Sequence, residues 1–420
     1  MKQIENEIAE INRMRTAIKN TSSRYLIRDY NKAIAQKIKD LKEYCYYRNI
    51  NFNELKICKI GEFFGGIGAC SAAFKRLKIP FEIADYVEID KYACKSYNAI
   101  NETNFEPQDI KEWDKDIKFD LIMHGSPCQD FSIAGKQLGG DEGSSTRSSL
   151  MYETIRIVNK TKPKVVIWEN VKNLISNKHR HNFDNYLQNM SDMGYTNYYK
   201  VLNAKDYGVP QNRERIFVIS ILGEHKPFEF PKPQELHIRL KDILEKDYDS
   251  KLILSEKIQE RLVITDPEFK KNIIGTTAPD FRTIGQRDVV YNQNGIISTL
   301  CATDYKQPKQ ILCKQVADLN HYNYDKMNRV YSDEGLSPAL ETMTGGNRQP
   351  KIIVNKKTEG NKVRKLSPKE CWRLMGFSDK DFEKAKTVNS NAQLYKQAGN
   401  SIVVNILVEI IKRLKECGAI

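Results

Sequence analysis

The sequence predicts a doubly wound α/β protein with a smaller β-rich domain and a helical N-terminal extension. Between residues 57 and 225, apolar runs of strand length alternate with helical patterns. A glycine-rich turn follows the first run, as expected where a strand passes into a helix beside a ligand. Beyond Gly223 the alternation stops, and prolines at positions 227, 231 and 233 mark a linker. A second unit of different composition therefore follows the α/β unit.

Composition limits the class of protein. The 420 residues are 40% apolar and carry a formal net charge of +13, which suits a globular chain with an anionic partner such as nucleic acid. No run approaches the ~20 apolar residues of a membrane span, and the N-terminus lacks a signal-peptide core. We therefore expect a cytoplasmic protein with no membrane partner. The nine cysteines are scattered without a Cys-x-x-Cys pair, so neither disulfides nor a metal site are expected.

Residues 1–56 predict a helical hairpin. Isoleucines at 4, 8, 11 and 18 recur at heptad-like spacing, and the segment 21–23 (Thr-Ser-Ser) offers an N-cap for a second helix. One face of that helix would carry the apolar residues Leu26, Tyr30, Ala33, Ile34, Ile38 and Leu41. Three roles stay open: a stabilising extension, a dimer contact, and an additional contact to nucleic acid.

The first βαβ unit predicts a nucleotide-type site. A strand at 55–60 leads into the glycine turn 62–70, and a second strand at 81–90 brings Glu88 near its end. An acidic residue there is placed to accept hydrogen bonds from ribose hydroxyls. No phosphate-binding signature follows, so a nucleoside-type cofactor fits at least as well as a dinucleotide. The pair Asp109-Ile110 could face an adenine amino group, although a surface turn explains the aspartate equally well.

Cys128 has an unusual position. It follows an apolar strand at 119–123 and the strand-breaking pair Ser126-Pro127, with no second cysteine nearby. The carboxyl ends of strands in a doubly wound sheet are where ligands gather. A nucleophile and a small buried side chain both fit this residue. The polar segment 134–148 that follows could be a lid or an ordinary solvent loop.

Later strands supply charged groups to the same crevice. Glu169 ends a buried strand at 164–168, and in a parallel sheet its carboxyl group would project beside Cys128. Arg213 and Arg215 have a spacing of two on an extended segment, so their side chains would point the same way. They could bind a phosphate or a carboxylate, or simply form a surface strand face.

The C-terminal part predicts a β-rich domain at 226–395, while 57–225 and 396–420 form the main domain. Ser367 caps a helix that starts at Pro368, with Glu370 completing a capping box. The last helix has one apolar stripe, preceded by the polar pair Asn400-Ser401.

Together these blocks resemble the DNA cytosine-5 methyltransferases of prokaryotic or phage type. They occur in the family's order over about residues 57–225 and 363–411. The blocks are Phe64-x-Gly66-Ile67-Gly68, Pro127-Cys128-Gln129-x-Phe131-Ser132, Glu169-Asn170-Val171, Gln211-x-Arg213-x-Arg215, Arg364-Lys365-Leu366-Ser367-Pro368 and Gly399-Asn400-Ser401. Glu62, where an Asp is usual, and Ala69, where a Gly is frequent, are small departures.

The resemblance implies a Rossmann-like S-adenosylmethionine-dependent domain, a target-recognition domain at 226–395 and methyl transfer to carbon 5 of a flipped cytosine in duplex DNA. The implied catalytic residues are Cys128, Glu169, Arg213 and Arg215. The implied cofactor contacts are Phe64, Gly66, Ile67, Gly68, Glu88, Ile89, Asp109, Ile110, Pro127, Asn400 and Ser401. S-adenosylhomocysteine would be the product, and the resemblance implies a cognate restriction endonuclease as a candidate partner.

Three other readings compete with this one. A catalytically dead DNA-binding regulator on the same fold would usually have lost one of the catalytic groups. A tRNA cytosine methyltransferase has less need of a separate domain that reads duplex sequence. A nicotinamide-dependent oxidoreductase would share the glycine turn but has no use for Pro127-Cys128-Gln129.

Overall fold

The computed structural model describes most of the chain outside the middle of the second domain. The described residues are 21–47, 57–127, 147–238, 240–252 and 360–420, with positions 7, 10, 11, 14, 17 and 18 and the segments 273–276, 289–291, 310–311, 315–318, 329–332, 337–338 and 351–356. Cys128 and the segment 129–146, which includes most of the expected lid, lie outside them.

The main unit is a six-stranded sheet with helices on both faces. Its strands are β1 (Cys58–Phe63), β2 (Phe81–Val87), β3 (Leu121–His124), β4 (Val165–Val171), β5 (Tyr195–Asn203) and β7 (Glu214–Leu222), in the spatial order β2-β1-β3-β4-β7-β5. The helices between them are α2 (Ala69–Leu77), α3 (Lys91–Asn101), α4 (Met151–Thr161) and α5 (Arg180–Asp192). The expected alternation of strand and helix is therefore confirmed over residues 58–222.

The prediction of a parallel sheet is wrong in one respect, because the observed sheet is not parallel throughout. Strands β1 to β4 pair in parallel, whereas β7 runs antiparallel to both β4 and β5. An apolar strand buried on both faces carries no mark of its direction, so the sequence could not show this. The reversal has a useful result, because the start of β7 now lies at the carboxyl end of β4.

The core has two layers, one on each face of the sheet. Along β4, Val165 and Ile167 belong to one buried cluster, while Val166 and Trp168 belong to the other. The first cluster includes side chains from α2 and from the C-terminal helix α9 (Val404–Glu416), and the second includes side chains from α4 and α5. This two-sided burial explains why the strands are nearly continuous apolar runs.

Helices near the C-terminus complete the first layer. They are α6 (Pro368–Leu374), α7 (Asp379–Lys386) and α8 (Asn391–Asn400). The capping box of Ser367 and Glu370 at the start of α6 is confirmed by both of its hydrogen bonds. Leu366, Trp372 and Leu394 lie in the same buried cluster as the sheet. The structure therefore packs residues from 366 onward with the main sheet, although the sequence grouped 226–395 as a second domain.

After β7 the chain stays packed against the main unit as far as residue 245. Phe228 and Ile243 belong to the buried cluster of the main unit. The Lys226 amide donates to the Cys417 carbonyl over 3.1 Å, and the Glu245 amide donates to Glu370 Oε1 over 2.8 Å. Residues 226–245 are therefore attached to the main body.

The predicted domain 226–395 is β-structure only in part: its described segments between 273 and 365 are strands, whereas 240–243 and 250–252 are 3₁₀ helices and α6 and α7 lie near its end. A three-stranded sheet contains β8 (Ile273–Thr276), β9 (Val289–Tyr291) and β10 (Gln310–Ile311), and a four-stranded sheet contains β11 (Gln315–Asp318), β12 (Arg329–Ser332), β14 (Lys351–Lys356) and β15 (Gly360–Lys365). The short strand β13 (Ser337–Pro338) pairs with β6 (Gln211–Asn212) of the main unit.

The N-terminal extension contains the long helix α1 (Arg24–Tyr47), and the described positions between 7 and 18 are helical. Ile11, Ile34 and Leu41 are buried, and Lys37 pairs with Glu7 at 2.9 Å. These contacts agree with the expected hairpin. Among the described residues, no helix is long and apolar enough to cross a membrane.

Candidate active site

The glycine turn after β1 opens a space at its centre. Phe64 and Gly66 have φ angles of +51° and +53°, in the left-handed region that non-glycine residues rarely adopt. A Cβ placed on Gly66 would meet no heavy atom within 4 Å, whereas one on Gly68 would lie 2.8 Å from Ser71 Oγ and from the Tyr97 ring. Gly68 is therefore required for packing, while Gly66 borders a space that a ligand can enter.

Two carboxyl groups hold this turn. Glu62 Oε1 accepts from the Cys70 and Ser71 amides at the start of α2, each over 3.1 Å, so its role is structural. Glu88 Oε2 accepts from the Gly66 amide over 3.1 Å, and its Oε1 accepts from the Asp90 amide over 2.9 Å. Burial raises the pKa of Glu88 above its usual value, although these amide donors offset part of the effect.

Beside Glu88 lies an apolar surface. Ile89 is 69% exposed, although it is a large apolar side chain that follows a buried strand. The Gln108 amide donates to the Glu88 carbonyl over 2.8 Å, which places the following pair Asp109-Ile110 next to it. Asp109 caps a short 3₁₀ turn by accepting from the Lys111 amide, and Ile110 is buried. Four of the sequence-predicted residues are thus brought to one place.

The segment that leads to Cys128 is fixed by the neighbouring strand. Trp168 Nε1 donates to Ser126 Oγ over 2.9 Å, and Asn170 Nδ2 donates to the Ser126 carbonyl over 3.2 Å. Both donors belong to β4 and flank Glu169 in sequence. Neither residue was predicted to act in the site, although Asn170 lies inside one of the family blocks.

Glu169 lies beside this segment. Arg215 Nε is 3.2 Å from Glu169 Oε1, and a Cβ built on Gly125 would be 3.7 Å from Glu169 Oε2. Burial raises the pKa of the Glu169 carboxyl, and the charges of Arg215 and Arg213 offset this only in part. The site therefore favours a protonated carboxyl group more than an exposed glutamate would.

The two arginines make different contacts. Arg215 binds Glu169, but Arg213 is buried and its Nη2 donates to the carbonyls of Gly399 and Ser401, over 3.2 and 3.0 Å. Their shared direction, expected from the spacing of two, therefore does not lead to one shared ligand in this structure. Arg213 instead joins the start of β7 to the end of α8.

The end of α8 reaches the same crevice. Asn400 is the exposed last residue of this helix, Ser401 is its buried C-cap, and the Ile402 side chain would lie 3.4 Å from a Cβ on Gly125. The prediction that the pair Asn400-Ser401 lies just before the last helix is confirmed, but the sequence did not predict α8. The helix is also tied to α3, because Lys396 pairs with Asp90 at 2.6 Å.

A family model for C-5 cytosine-specific DNA methylases matches residues 58–416. The chain belongs to this family. Among its relatives, the orphan methyltransferase M.Rho11sI of Bacillus phage rho11s is 30% identical, over 85% of this chain and 97% of the relative. The type II methyltransferase M.HhaI of Haemophilus parahaemolyticus is 33% identical, over 76% of this chain and 83% of the relative.

Solved structures of the family share the fold. The chain matches the Dnmt2 methyltransferase of S. pombe with a TM-score of 0.58 and 15% identity, over 86% of this chain and 99% of that one. The Rossmann-like methyltransferase fold expected from the sequence is thereby confirmed. The protein is a DNA cytosine-5 methyltransferase by family, and sequence-specific methylation of cytosine in DNA is the activity that this membership supports.

Proposed function

We propose that this methyltransferase flips its target cytosine out of duplex DNA and activates it by adding the Cys128 thiolate to carbon 6. The observation that carries the proposal is the ion pair between the buried Glu169 and the half-buried Arg215, beside Gly125 of the segment leading to Cys128. Carbon 5 of cytosine is a poor nucleophile. A thiolate bound at carbon 6 turns the ring into an enamine, whose carbon 5 can attack an electrophilic methyl group.

Glu169 and Arg215 would handle the charges of the ring. A protonated Glu169 would donate to ring nitrogen 3, which stabilises the thiolate adduct as negative charge develops in the ring. Its raised pKa supports this role. Arg215 would bind the base carbonyl, and Arg213 would order the site through its two backbone contacts. After carbon 5 is methylated, loss of its proton and departure of the Cys128 thiolate restore the aromatic ring.

The residues around the glycine turn fit S-adenosylmethionine. The space at Gly66 admits a ligand close to the backbone, the Glu88 carboxyl group can accept from ribose hydroxyls, and the exposed Ile89 offers an apolar surface to adenine. Asp109 and Ile110 adjoin that surface, while Phe64, Ile67, Gly68, Pro127, Asn400 and Ser401 would complete the site. When bound, the cofactor supplies an electrophilic methyl group.

Duplex DNA must be opened for this chemistry, because carbon 6 of a stacked cytosine is inaccessible to a thiol. We propose that the domain assigned to 226–395 reads the target sequence and that the net charge of +13 assists contact with phosphates. Both orphan and type II methyltransferases occur among the relatives, so a partner endonuclease remains a prediction.

A transfer assay tests the proposal. Purified protein should move a labelled methyl group from S-adenosylmethionine to duplex DNA, and Cys128→Ala should abolish transfer while leaving cofactor binding unchanged. Cys94→Ala, which removes a thiol bound to the Phe105 carbonyl, is the matched control and should retain transfer. Methylation of DNA by the Cys128→Ala variant would disprove the thiolate mechanism. Transfer to tRNA alone would favour a tRNA cytosine methyltransferase. DNA binding without transfer would favour a catalytically dead regulator.

A further inference from the structure

The long N-terminal helix α1 segregates its charges. At ~100° per residue, Arg24, Arg28, Lys32 and Lys39 fall within a sector of about 80°. All four are exposed. Lys42 lies in the same sector, whereas the acidic residues of the helix (Asp29, Asp40 and Glu43) lie outside it. We call Arg24, Arg28, Lys32 and Lys39 the cationic stripe.

The stripe differs from several exposed cations on other helices. Arg156 of α4, Arg180 of α5 and Lys412 of α9 each pair with an acid three or four residues away, namely Glu153, Asp184 and Glu409. Within the described part of the chain, no stripe residue forms an ion pair. Like charges four residues apart destabilise a helix by about 0.2–0.5 kcal/mol per pair. The stripe therefore destabilises α1 unless an anionic partner neutralises its charge.

The opposite side of α1 is already occupied by the hairpin. Ile34 and Leu41 are buried, and Lys37 is neutralised by Glu7 at 2.9 Å and Glu10 at 2.7 Å. Contact with the first helix thus turns the stripe towards solvent. Along the same face lies a hollow of about 510 Å³, whose described lining includes Arg24, Arg28 and Lys32.

We infer that the cationic stripe binds the phosphate backbone of the substrate DNA outside the catalytic domain. From Arg24 to Lys39 the stripe is about 22 Å long, at ~1.5 Å per residue. Phosphates follow each strand of duplex DNA every ~3.4 Å of its axis, so this length faces about six of them. The inference rests on DNA being the substrate, which places a polyanion beside the same chain in every catalytic cycle.

An anionic membrane is the weaker alternative. Helices that lie on membranes insert an apolar face into lipid. On α1, Ile34 and Leu41 of the apolar face are buried in the hairpin. Among the side chains of this helix that the structure describes, the large apolar ones left exposed lie near its ends: Tyr25 and Leu26 at one, Tyr47 at the other. A binding surface that is charged without being apolar fits phosphates contacted from water.

The salt dependence of DNA binding tests the inference. The full-length protein would be titrated with a labelled 40-base-pair duplex between about 50 and 200 mM salt, because log K falls by about 0.9 per phosphate contact for each unit of log[salt]. Changing all four stripe residues to Gln should reduce the slope by about 3 to 4. The wild-type protein should then lose roughly 100-fold more affinity than the variant over this range.

A matched variant removes the same charge elsewhere. Lys95, Lys111, Lys118 and Lys415 are exposed residues of the main unit, and changing them to Gln removes four positive charges. We expect this variant to keep a slope within about one unit of the wild type. Equal losses of slope in the two variants would reduce the effect to net charge and overturn the inference.

Two further outcomes separate the explanations. A stripe variant with the wild-type slope, but with lost binding to phosphatidylserine vesicles, would assign the stripe to a membrane instead. A wild-type protein that neither binds nor methylates DNA would contradict the proposed function itself. Circular dichroism of the stripe variant should show unchanged helix content, because its four substituted side chains are exposed.

Discussion

Arg213 offers a sharp test of how the crevice is assembled. Its Nη2 donates to the carbonyls of Gly399 and Ser401, and all three residues are buried. Arg213→Ala would leave both carbonyls without this donor. A buried polar group without a partner costs about 1–3 kcal/mol, so two predict a loss of about 2–6 kcal/mol in the free energy of unfolding.

The cofactor should sense the same change. Asn400 lies between the two carbonyls that Arg213 binds, so we expect the affinity for S-adenosylmethionine to fall at least about tenfold, equivalent to ~1.4 kcal/mol. Unfolding in urea measures the first effect, and calorimetric titration with the cofactor measures the second. Arg213→Lys keeps a charge near Glu169 but not the planar guanidinium, so it should retain only part of both.

Arg76→Ala is the control. Arg76 lies in the last turn of α2 and donates to the Gly376 carbonyl and to Asn405 Oδ1. This variant should lose stability while keeping its affinity for the cofactor. Wild-type stability and wild-type cofactor affinity in Arg213→Ala would refute the reasoning.

Three other predictions follow from burial and backbone geometry. The mechanism needs a protonated Glu169, and burial raises the pKa of this group, so kcat should fall as pH rises through that pKa. Glu169→Gln should lower kcat by about 10²–10⁴ and remove this pH dependence. A small loss of kcat with an unchanged pH profile would contradict the role of Glu169. Burial lowers the pKa of His124 from 6.5 to about 3, so the unfolded chain gains a proton first as pH falls. The contribution of His124 to the free energy of unfolding should be complete above pH 6.5 and decline between pH 6.5 and 3, by about 2 kcal/mol from pH 6.5 to 5. Urea unfolding of His124→Leu should show no such decline. Gly66→Ala should weaken cofactor binding and lower the free energy of unfolding by about 1 kcal/mol. Gly68→Ala, whose new methyl group would crowd Ser71 and Tyr97, should lower it more. Equal effects of the two variants on cofactor binding would refute the different roles given to these glycines.

Much of the main domain could be predicted because it is encoded locally. Ser367, Pro368 and Glu370 specify the start of α6 within four residues, and the structure forms both hydrogen bonds of that capping box. The position of Glu88 near the end of β2 likewise followed from one apolar run and one glycine turn. These predictions depend on neighbours in sequence, so pattern alone was sufficient.

The parts that could not be predicted depend on distant contacts. Arg213 meets carbonyls 186 and 188 residues further along the chain, which a spacing of two cannot indicate. Helix α8 has few apolar residues, and hydrogen bonds to α3 such as Gln397 Nε2 to the Tyr92 carbonyl, over 3.0 Å, help to hold it. The direction of β7 is a third case, because only pairing with β4 reveals it.

The attachment of residues 226–245 to the main body bears on how new specificities arise in such a protein. Glu245 and Leu366 both lie on the main body, and the Glu245 amide donates to Glu370 near Leu366. The two points where the segment 246–365 joins the scaffold are therefore close together, and within that segment β13 pairs with β6 of the main unit. Exchanging the 246–365 segment between relatives should therefore preserve methyl transfer while changing the target DNA sequence. A hybrid joined at residue 226 or 395 would instead be cut within the core of the main unit.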